Sequence, residues 1–220
     1  MTEPKALRID FVSDVSCPWC AVGLASLERA LDALQDEVRA EIHFQPFELN
    51  PQMAPEGEDV GEHIAKKYGM SPAQLAQNQE NIRQRGAAVG FTFAHQDTRR
   101  IYNTFDAHRL LHWAGEQGDG QRQHPLKRAL LTAYFTDGQD VSDHAVLARV
   151  AGSVGLDAAE AAAVLGSDRY AEAVRRDEQF FLRAGIHSVP AIIINQQHLI
   201  SGGQPPEVFE QALRELAARS

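Results

Sequence analysis

The sequence predicts an α/β fold with strands at both ends of the chain and helices between them. Apolar residues at 7–12 predict the first strand, and leucines and alanines at helical spacing over 24–34 predict the helix that follows it. Apolar residues at 42–47 predict a second strand. The chain therefore opens with a β-α-β unit.

Helical patterns fill the middle of the chain. Ser71 and Pro72 form a favourable N-cap and first-turn pair, which opens a helix toward Arg85 and Gly86. Further helices are predicted over 101–116, 125–135, 142–154, 157–165 and 168–184. Glycines suited to stop these helices stand at Gly118, Gly138, Gly155, Gly166 and Gly185. The middle of the chain is therefore predicted to be all helix.

Strand character returns near the C-terminus. Apolar residues at 191–194 and 198–201, joined by the polar segment 195–197, predict a β-hairpin. Two prolines then lead into a last helix, whose apolar face includes Phe209 and Leu213. The chain therefore ends with a β-β-α unit.

Composition and charge limit the classes of function. A chain of 220 residues with 44% hydrophobic residues can bury a full core, as one domain with an insertion or as two packed domains. Residues 1–7 contain no signal-peptide pattern and no apolar stretch has membrane-spanning length, so we expect a soluble, cytoplasmic protein with no membrane partner. A formal net charge of -9 argues against a nucleic-acid partner, because phosphates would be repelled.

The two cysteines of the chain, Cys17 and Cys20, stand at the predicted start of the first helix, with Pro18 and Trp19 between them. Unpaired N–H groups and the helix dipole favour a thiolate at Cys17, which makes it the nucleophile. Cys20, one turn further on, can attack a mixed disulfide at Cys17 and release the partner. Pro18 suits the first turn, and Trp19 places an apolar surface beside the sulfur. In a reducing compartment, such a pair indicates catalysis or sensing rather than a structural disulfide.

A zinc site is the main alternative for two cysteines at this spacing. Zinc normally takes four ligands, and the chain contains no second cysteine pair. Among the nine histidines, only His108 and His112 have the spacing of a ligand pair, and they fall in a helical segment where packing explains them. We therefore expect a redox pair and no metal.

Five stretches of the sequence resemble DsbA-family oxidoreductases of the thioredoxin-like fold, specifically their FrnE-like intracellular branch. These stretches are DFVSDVSCPWC at 10–20, PFELNP at 46–51, NTFDAHRLLHWA at 103–114, SVP at 188–190 and SGGQPPEVF at 201–209. The resemblance implies a thioredoxin-like domain formed by 1–56 and 186–220. It also implies that 57–185 form an inserted helical domain.

The resemblance assigns roles to further residues. Pro190 is expected to be a cis-proline that faces the cysteines, and Val189 is expected to offer its backbone to an extended substrate. Asp10 is a candidate for a buried acid that relays a proton to Cys20, with an exposed or helix-capping role as its alternative. Asp14 is interpreted as a turn residue.

Departures from the family pattern bear on the redox potential. Strongly oxidising DsbA-type proteins resemble one another in having a histidine where this chain has Trp19, so the pair is expected to be less oxidising than theirs. His187 either lies near the sulfurs and partly compensates or is a polar loop residue. Gly202 and Gly203, which precede a helix N-terminus, are candidates for binding a glutathione carboxylate.

Three functions follow as hypotheses. The first is a cytoplasmic thiol–disulfide oxidoreductase that acts on protein or small-molecule disulfides. It would hold no bound cofactor. Glutathione would serve as its co-substrate. Alternatively, glutathione or a thioredoxin-type protein would serve as its reductant. The second is a glutathione-dependent isomerase or transferase similar to 2-hydroxychromene-2-carboxylate isomerases or kappa-class transferases, which usually replace the first cysteine by serine. The third is a redox-switched holdase that binds unfolded chains in its cleft.

Overall fold

The structure, a computed structural model, describes residues 3–94, 99–118 and 120–219. The helices of these ranges are α1 (Pro18–Ala33), α2 (Val60–Tyr68), α3 (Pro72–Val89), α4 (Phe105–Gly115), α5 (Gln123–Phe135), α6 (His144–Ser153), α7 (Ala158–Leu165), α8 (Ala171–Arg183) and α9 (Pro206–Ala217). The strands are β1 (Lys5–Ser13), β2 (Val38–Pro46), β3 (Glu58–Asp59), β4 (Arg100–Ile101), β5 (Ala191–Ile194) and β6 (His198–Ser201).

The central sheet has four strands in the order β2-β1-β5-β6. Strand β1 pairs with β2 in parallel and with β5 in antiparallel orientation, and β5 pairs with β6 as an antiparallel hairpin. The predicted β-α-β and β-β-α units therefore meet in one sheet. This arrangement confirms the thioredoxin-like fold.

Strand β1 is covered on both faces, because successive side chains of a strand point in opposite directions. Phe11 points toward α1, where its ring approaches Gly23. Val12 points the other way and clusters with Phe181 of α8 and with Ile186. Helices α1 and α9, which contact each other, therefore cover one face of the sheet, and α8 covers the other.

Residues 195–197 form the turn of the hairpin between β5 and β6, as the sequence predicts. Asn195 and Gln196 have φ angles of 50° and 57°, which are left-handed values. The N–H of Gln197 donates to the carbonyl of Ile194 at 3.1 Å. Two left-handed central residues give a type I′ turn, whose twist matches that of the flanking strands.

A two-stranded ladder corrects the prediction that the middle of the chain is all helix. Strands β3 and β4 pair Glu58 with Ile101 and Asp59 with Arg100. The helix predicted over 101–116 therefore begins only at Phe105. Two-residue strands are too short to show a periodic pattern, which is why sequence analysis missed them. It also did not predict α2, which directly follows β3.

Helix α3, predicted from Ser71 and Pro72 toward Arg85 and Gly86, continues past them to Val89. A Cβ atom at Gly86 would lie 2.5 Å from the Phe93 ring, so the glycine permits this ring to pack against the helix. The helix ends at Gly90, whose φ of 83° is left-handed.

The hydrophobic core extends across the predicted domain boundaries. One cluster of buried side chains joins Phe11 and Leu24, from the sheet and α1, to Leu110 of α4 and Leu130 of α5. The division at 56/57 and 185/186 stays a prediction. None of the helices in the described ranges is long and apolar enough to cross a membrane.

Candidate active site

Cys17 and Cys20 lie at the start of α1, and both thiols are free. Cys17 is the N-cap residue, and its Sγ accepts a hydrogen bond from the backbone N–H of Cys20 at 3.3 Å. Pro18 occupies the first turn, as the sequence predicts. Cys17 is 4% exposed and Cys20 is fully buried, so a reactant from solvent meets Cys17 first.

The loop before β5 faces the cysteine pair. The thiol of Cys17 lies 3.7 Å from the carbonyl oxygen of Val189, to which it donates. The peptide bond between Val189 and Pro190 is cis. Pro190 also packs on α1, since a Cβ atom at Gly23 would lie 3.1 Å from its ring. The structure thus places Cys17, Val189 and Pro190 together, while substrate binding by the Val189 backbone stays a prediction.

Gly202 and Gly203 are packed against the cysteine motif. The N–H of Gly202 donates to the carbonyl of Pro190 at 2.8 Å. A Cβ atom at Gly203 would lie 2.8 Å from the carbonyl oxygen of Trp19, so only glycine fits there without movement. The N–H group of Gly202, one of the two glycines predicted to bind a glutathione carboxylate, therefore already has a partner. The carboxylate site itself stays a prediction.

Asp14 is a buried carboxylate as well as a turn residue. Its oxygens accept hydrogen bonds from the N–H of Leu49 at 2.8 Å and from the hydroxyl of Ser16 at 3.1 Å. The Nε2 atom of His108 lies 3.4 Å from Oδ1. Burial raises the pKa of Asp14, but His108 and the Leu49 N–H lower it by more, so that it falls to about 2. Asp14 is therefore held as a carboxylate beneath the cysteine loop.

Lys127 of α5 is a second buried charged residue near the cysteines. Its side chain is fully buried, and Nζ has no hydrogen-bond partner within the described residues. Burial lowers the pKa of Lys127, against the opposing effect of Cys20, Asp14 and Cys17. For Cys20, burial and the neighbouring Cys17 raise the pKa of the thiol well above its usual value, while Lys127 acts to lower it.

Sequence analysis did not identify Lys127, although one signal was present. Lys127 shares a helical face with Leu130, Leu131 and Tyr134, at spacings of about three, four and seven residues. A lysine on an otherwise apolar face is exceptional, because lysine is almost never fully buried unless it is paired. The charge interaction of Lys127 with Cys20 spans more than a hundred residues of sequence, so no local pattern reveals it.

Asp10 and His187 are two further residues that the sequence singles out as site candidates. Asp10 points to the same face of β1 as Val12, away from α1, and its carboxylate accepts hydrogen bonds from Arg8 at 2.7 Å and Gln45 at 2.8 Å. The structure therefore does not bring Asp10 to Cys20. His187 is exposed, and its ring makes no hydrogen bond or ion pair within the described part of the chain.

A cavity of about 280 Å³ opens beside Pro18, between the cysteine motif and helices α2 and α3. Its apolar lining comes from Val60, Leu75, Ile82 and Phe93. Its polar lining comes from Asp59, Gln79, Arg83 and Arg99. This cavity is a space in which a substrate could lie next to the nucleophile.

A cysteine pair that opens the first helix and faces the loop before β5 defines the dithiol centre of a thioredoxin-fold protein. The family profile of the DSBA-like thioredoxin domain matches residues 8–214, and the chain belongs to this family of thiol oxidoreductases. The predicted assignment to the FrnE-like branch stays a prediction.

Individual relatives agree with the family. A probable DsbA oxidoreductase from Streptomyces coelicolor is 36% identical, with a TM-score of 0.89 over 97% of this chain and 91% of that one. The uncharacterized protein YwbO of Bacillus subtilis is 28% identical over 94% of this chain and 96% of its own length. The cytosolic disulfide reductase DsbM of Pseudomonas aeruginosa, solved with GSH, shares the fold, with 18% identity and a TM-score of 0.64 over 97% of this chain and 100% of that one.

Proposed function

We propose that the protein is a cytoplasmic thiol–disulfide oxidoreductase in which Cys17 is the nucleophile and Cys20 the resolving thiol. One observation carries the proposal. The Cys17 sulfur is the N-cap of α1, 3.3 Å from the Cys20 backbone nitrogen, and also lies 3.7 Å from the Val189 carbonyl. A nucleophilic sulfur thus lies beside both its resolving partner and the backbone of Val189.

The proposed reaction is two successive exchanges. The Cys17 thiolate attacks one sulfur of a substrate disulfide, forms a mixed disulfide and releases the other sulfur as a thiolate. The Cys20 thiolate then attacks Cys17, so that the substrate leaves with two electrons more and a Cys17–Cys20 disulfide forms. The same steps in reverse oxidise a substrate dithiol.

The substrate we propose is an extended protein segment or a small-molecule disulfide. The backbone of Val189 can pair with a peptide main chain, which holds many sequences with little side-chain preference. Glutathione or a thioredoxin-type protein would reduce the Cys17–Cys20 disulfide again. Because the P. aeruginosa relative was solved with GSH, glutathione is the recycling thiol to test first.

The proposal is tested by equilibrating the protein in graded mixtures of reduced and oxidised glutathione. Free thiols are then alkylated and counted by mass spectrometry. We expect one reversible two-electron transition that involves Cys17 and Cys20. Glutathione that binds without any exchange would contradict the proposal and support the isomerase or transferase instead.

Single-cysteine variants assign the roles. We expect Cys17→Ser to abolish exchange and Cys20→Ser to accumulate a mixed disulfide between Cys17 and glutathione or a substrate protein. Full turnover in both variants would contradict the dithiol mechanism. Aggregation suppression that survives replacement of both cysteines by serine would support the holdase.

A further inference from the structure

The cavity beside Pro18 carries charges that sulfur exchange alone does not explain. Three charged side chains line it, those of Asp59, Arg83 and Arg99. Arg83 is already paired, because its guanidinium donates to both carboxylate oxygens of Glu80 at 2.6 and 2.7 Å. The cavity is therefore left with one carboxylate and one guanidinium that it can offer to a ligand.

Arg99 is a cation held by aromatic rings. Its guanidinium carbon lies 5.6 Å from the ring centre of Tyr134 and 5.2 Å from that of Phe135. Among the residues that the structure describes, the Arg99 side chain forms no ion pair and donates no hydrogen bond. The rings attract the guanidinium and orient it, while its N–H groups stay available for a carboxylate, which they can bind in pairs.

Asp59 is the carboxylate of the cavity and also the N-cap of α2. Its Oδ1 accepts a hydrogen bond from the N–H of Glu62 at 2.9 Å. Within the described ranges, Oδ2 accepts none and the side chain forms no ion pair. Asp59 pairs with Arg100 across the ladder of β3 and β4, and the N–H of Val60 donates to the carbonyl of Arg99 at 3.1 Å. The two charges available to a ligand therefore come from neighbouring positions of one ladder.

Two opposite charges at one small cavity match a molecule that carries both signs. An α-amino acid end group has an ammonium and a carboxylate on one carbon atom, so a single such group can pair with Asp59 and Arg99 at once. A purely anionic end would face Asp59, and a purely cationic end would face Arg99. The cavity volume of about 280 Å³ is just below the roughly 300 Å³ at which pockets for drug-sized ligands begin, so it fits the end of a small molecule. Pro18 in its wall places that end next to the nucleophile.

We propose that this cavity binds the amino-acid end of a low-molecular-mass disulfide, with Arg99 on its carboxylate and Asp59 on its ammonium group, while Cys17 attacks its sulfur. This inference rests on the proposed thiol–disulfide exchange and narrows its substrate to the small-molecule class. The dithiol supplies two electrons and two protons. The S–S bond of the substrate breaks, a bond between Cys17 and Cys20 forms, and two thiol molecules leave. Cystine is the simplest substrate of this kind.

Four small disulfides separate the two charges. Cystine carries both, cystamine only ammonium groups, dithiodipropionate only carboxylates, and hydroxyethyl disulfide neither. Each is mixed with the reduced wild type at neutral pH, and the loss of free protein thiols is followed by alkylation and mass spectrometry. Each rate constant is divided by that of dithiothreitol with the same disulfide, which removes differences in intrinsic reactivity. We expect the corrected rate constant for cystine to exceed that for hydroxyethyl disulfide by about tenfold or more.

Two variants assign the charges. Arg99→Met keeps an apolar stem against the rings and should slow the reactions with cystine and dithiodipropionate by about tenfold. Asp59→Asn keeps a side chain that can cap α2 and should slow the reactions with cystine and cystamine by about tenfold. Both variants should react with hydroxyethyl disulfide within about twofold of the wild type, which also shows that they fold. Arg176→Met, which replaces an exposed arginine of α8, should leave all four rates unchanged.

The outcomes separate this inference from the proposed function. Equal ratios of the four corrected rate constants in the wild type and in both variants would overturn the inference, and so would a wild type that reacts equally with cystine and hydroxyethyl disulfide. A wild type that reacts with none of the four would instead refute the proposed function. Glutathione disulfide, whose amino-acid ends lie further from the sulfurs, is a fifth substrate. A rate above that of cystine which falls in both variants would assign the site to this longer molecule.

A binding measurement on the reduced wild type covers the case in which the variants do not fold. S-Methylcysteine has the amino-acid end but no disulfide, and methylthiopropionate lacks its ammonium group. In ¹⁵N-labelled protein, we expect S-methylcysteine to shift the amide resonance of Gly61, in the cavity wall, in a saturable manner. Methylthiopropionate should bind about tenfold more weakly. Equal binding of the two compounds, or no shift at Gly61, would overturn the inference.

Discussion

The Nε2 atom of His108 lies 3.4 Å from Oδ1 of Asp14, which joins α4 to the loop that carries Cys17. Both side chains are almost completely buried. A buried carboxylate that lost its partners would cost several kcal/mol, so this contact and the hydrogen bond from the Leu49 N–H determine whether the loop is stable. The active-site loop therefore depends on residues from two other segments of the chain.

Replacement of Asp14 should weaken the fold in a pH-dependent way. Its folded pKa of about 2 lies below the usual 3.8, so its stabilisation is complete above the usual pKa and is lost as the pH falls toward 2. We expect Asp14→Asn to lower the free energy of unfolding by about 2 kcal/mol at pH 7 but by only about 1 kcal/mol at pH 3. Urea unfolding followed by circular dichroism at both pH values measures this.

Asp36→Asn is the matched control for Asp14→Asn. Asp36 is exposed, and its replacement should change the free energy of unfolding by less than about 0.5 kcal/mol. A deficit for Asp14→Asn that is the same at both pH values would show that the carboxylate charge does not contribute.

The parts of the molecule that could be predicted are those with local sequence signals. The strands at 7–12 and 191–201 show apolar runs, and Ser71 with Gln74 forms the capping box that its sequence favours. Cys17 and Cys20 are neighbours in sequence, so their approach needs no tertiary information. Local pattern and final structure agree in these segments.

The parts that could not be predicted depend on tertiary packing. The sequence around Asp14 predicts only a turn residue, because nothing in its neighbourhood shows that Leu49 and His108 surround it. Lys127 is buried only because α5 packs on the sheet and on α1. The position of Asp10 before the cysteine motif makes it a candidate relay to Cys20, but alternation along β1 turns its side chain away from α1. Only the assembled fold decides which side chains share a site.

The reactivity of the two cysteines should differ because of burial. Cys20 is fully buried, and burial and Cys17 raise the pKa of its thiol well above the usual value. We expect Cys20 in the Cys17→Ser variant to react with iodoacetamide at least about tenfold more slowly than Cys17 in the Cys20→Ser variant at pH 8. Mass spectrometry of timed samples gives both rates.

Unfolding provides the control for this comparison. In guanidinium chloride both variants should react at similar rates, since neither thiol is then buried. Native rates that are also similar would show that burial does not hold Cys20 in its thiol form.

The contact between Gly203 and Trp19 should tolerate no added side chain. A Cβ atom at Gly203 would lie 2.8 Å from the Trp19 carbonyl oxygen, and that oxygen belongs to the backbone of α1 and cannot swing away. We expect Gly203→Ala to lower the free energy of unfolding by about 1–3 kcal/mol and to slow exchange, because the start of α1 must move. Thermal unfolding measures the first effect, and the rate at which the reduced variant reacts with glutathione disulfide measures the second.

Gly166→Ala is the matched control for Gly203→Ala. A Cβ atom at Gly166 would lie 3.4 Å from the nearest carbonyl oxygen, an ordinary contact, and the residue is exposed. We expect Gly166→Ala to exchange thiols at the wild-type rate. Its free energy of unfolding should lie within about 1 kcal/mol of the wild-type value. If Gly203→Ala behaved like this control, the packing of the Gly203 loop on α1 would not matter for the site.

Glu48 and Glu178 share the guanidinium group of Arg175, which donates to both carboxylates and thereby ties α8 to the segment after β2. One oxygen of each carboxylate is buried without a hydrogen-bond partner among the described residues. Burial and the charge of Glu178 raise the pKa of Glu48 to about 7, although Arg175 opposes this shift. Near neutral pH, Glu48 therefore exchanges a proton inside the fold.

This shift should make the fold less stable as the pH rises. The folded pKa of Glu48 lies above its usual 4.5, so its stabilisation is present below that value and is lost as the pH rises through 7. Glutamine stays neutral, so the stability of Glu48→Gln relative to the wild type should increase by about 1–3 kcal/mol between pH 5 and pH 8. Exposed Glu56→Gln should show no such trend, and a difference for Glu48→Gln that does not change with pH would mean that Glu48 titrates at its ordinary pKa. Urea unfolding at the two pH values decides between these outcomes.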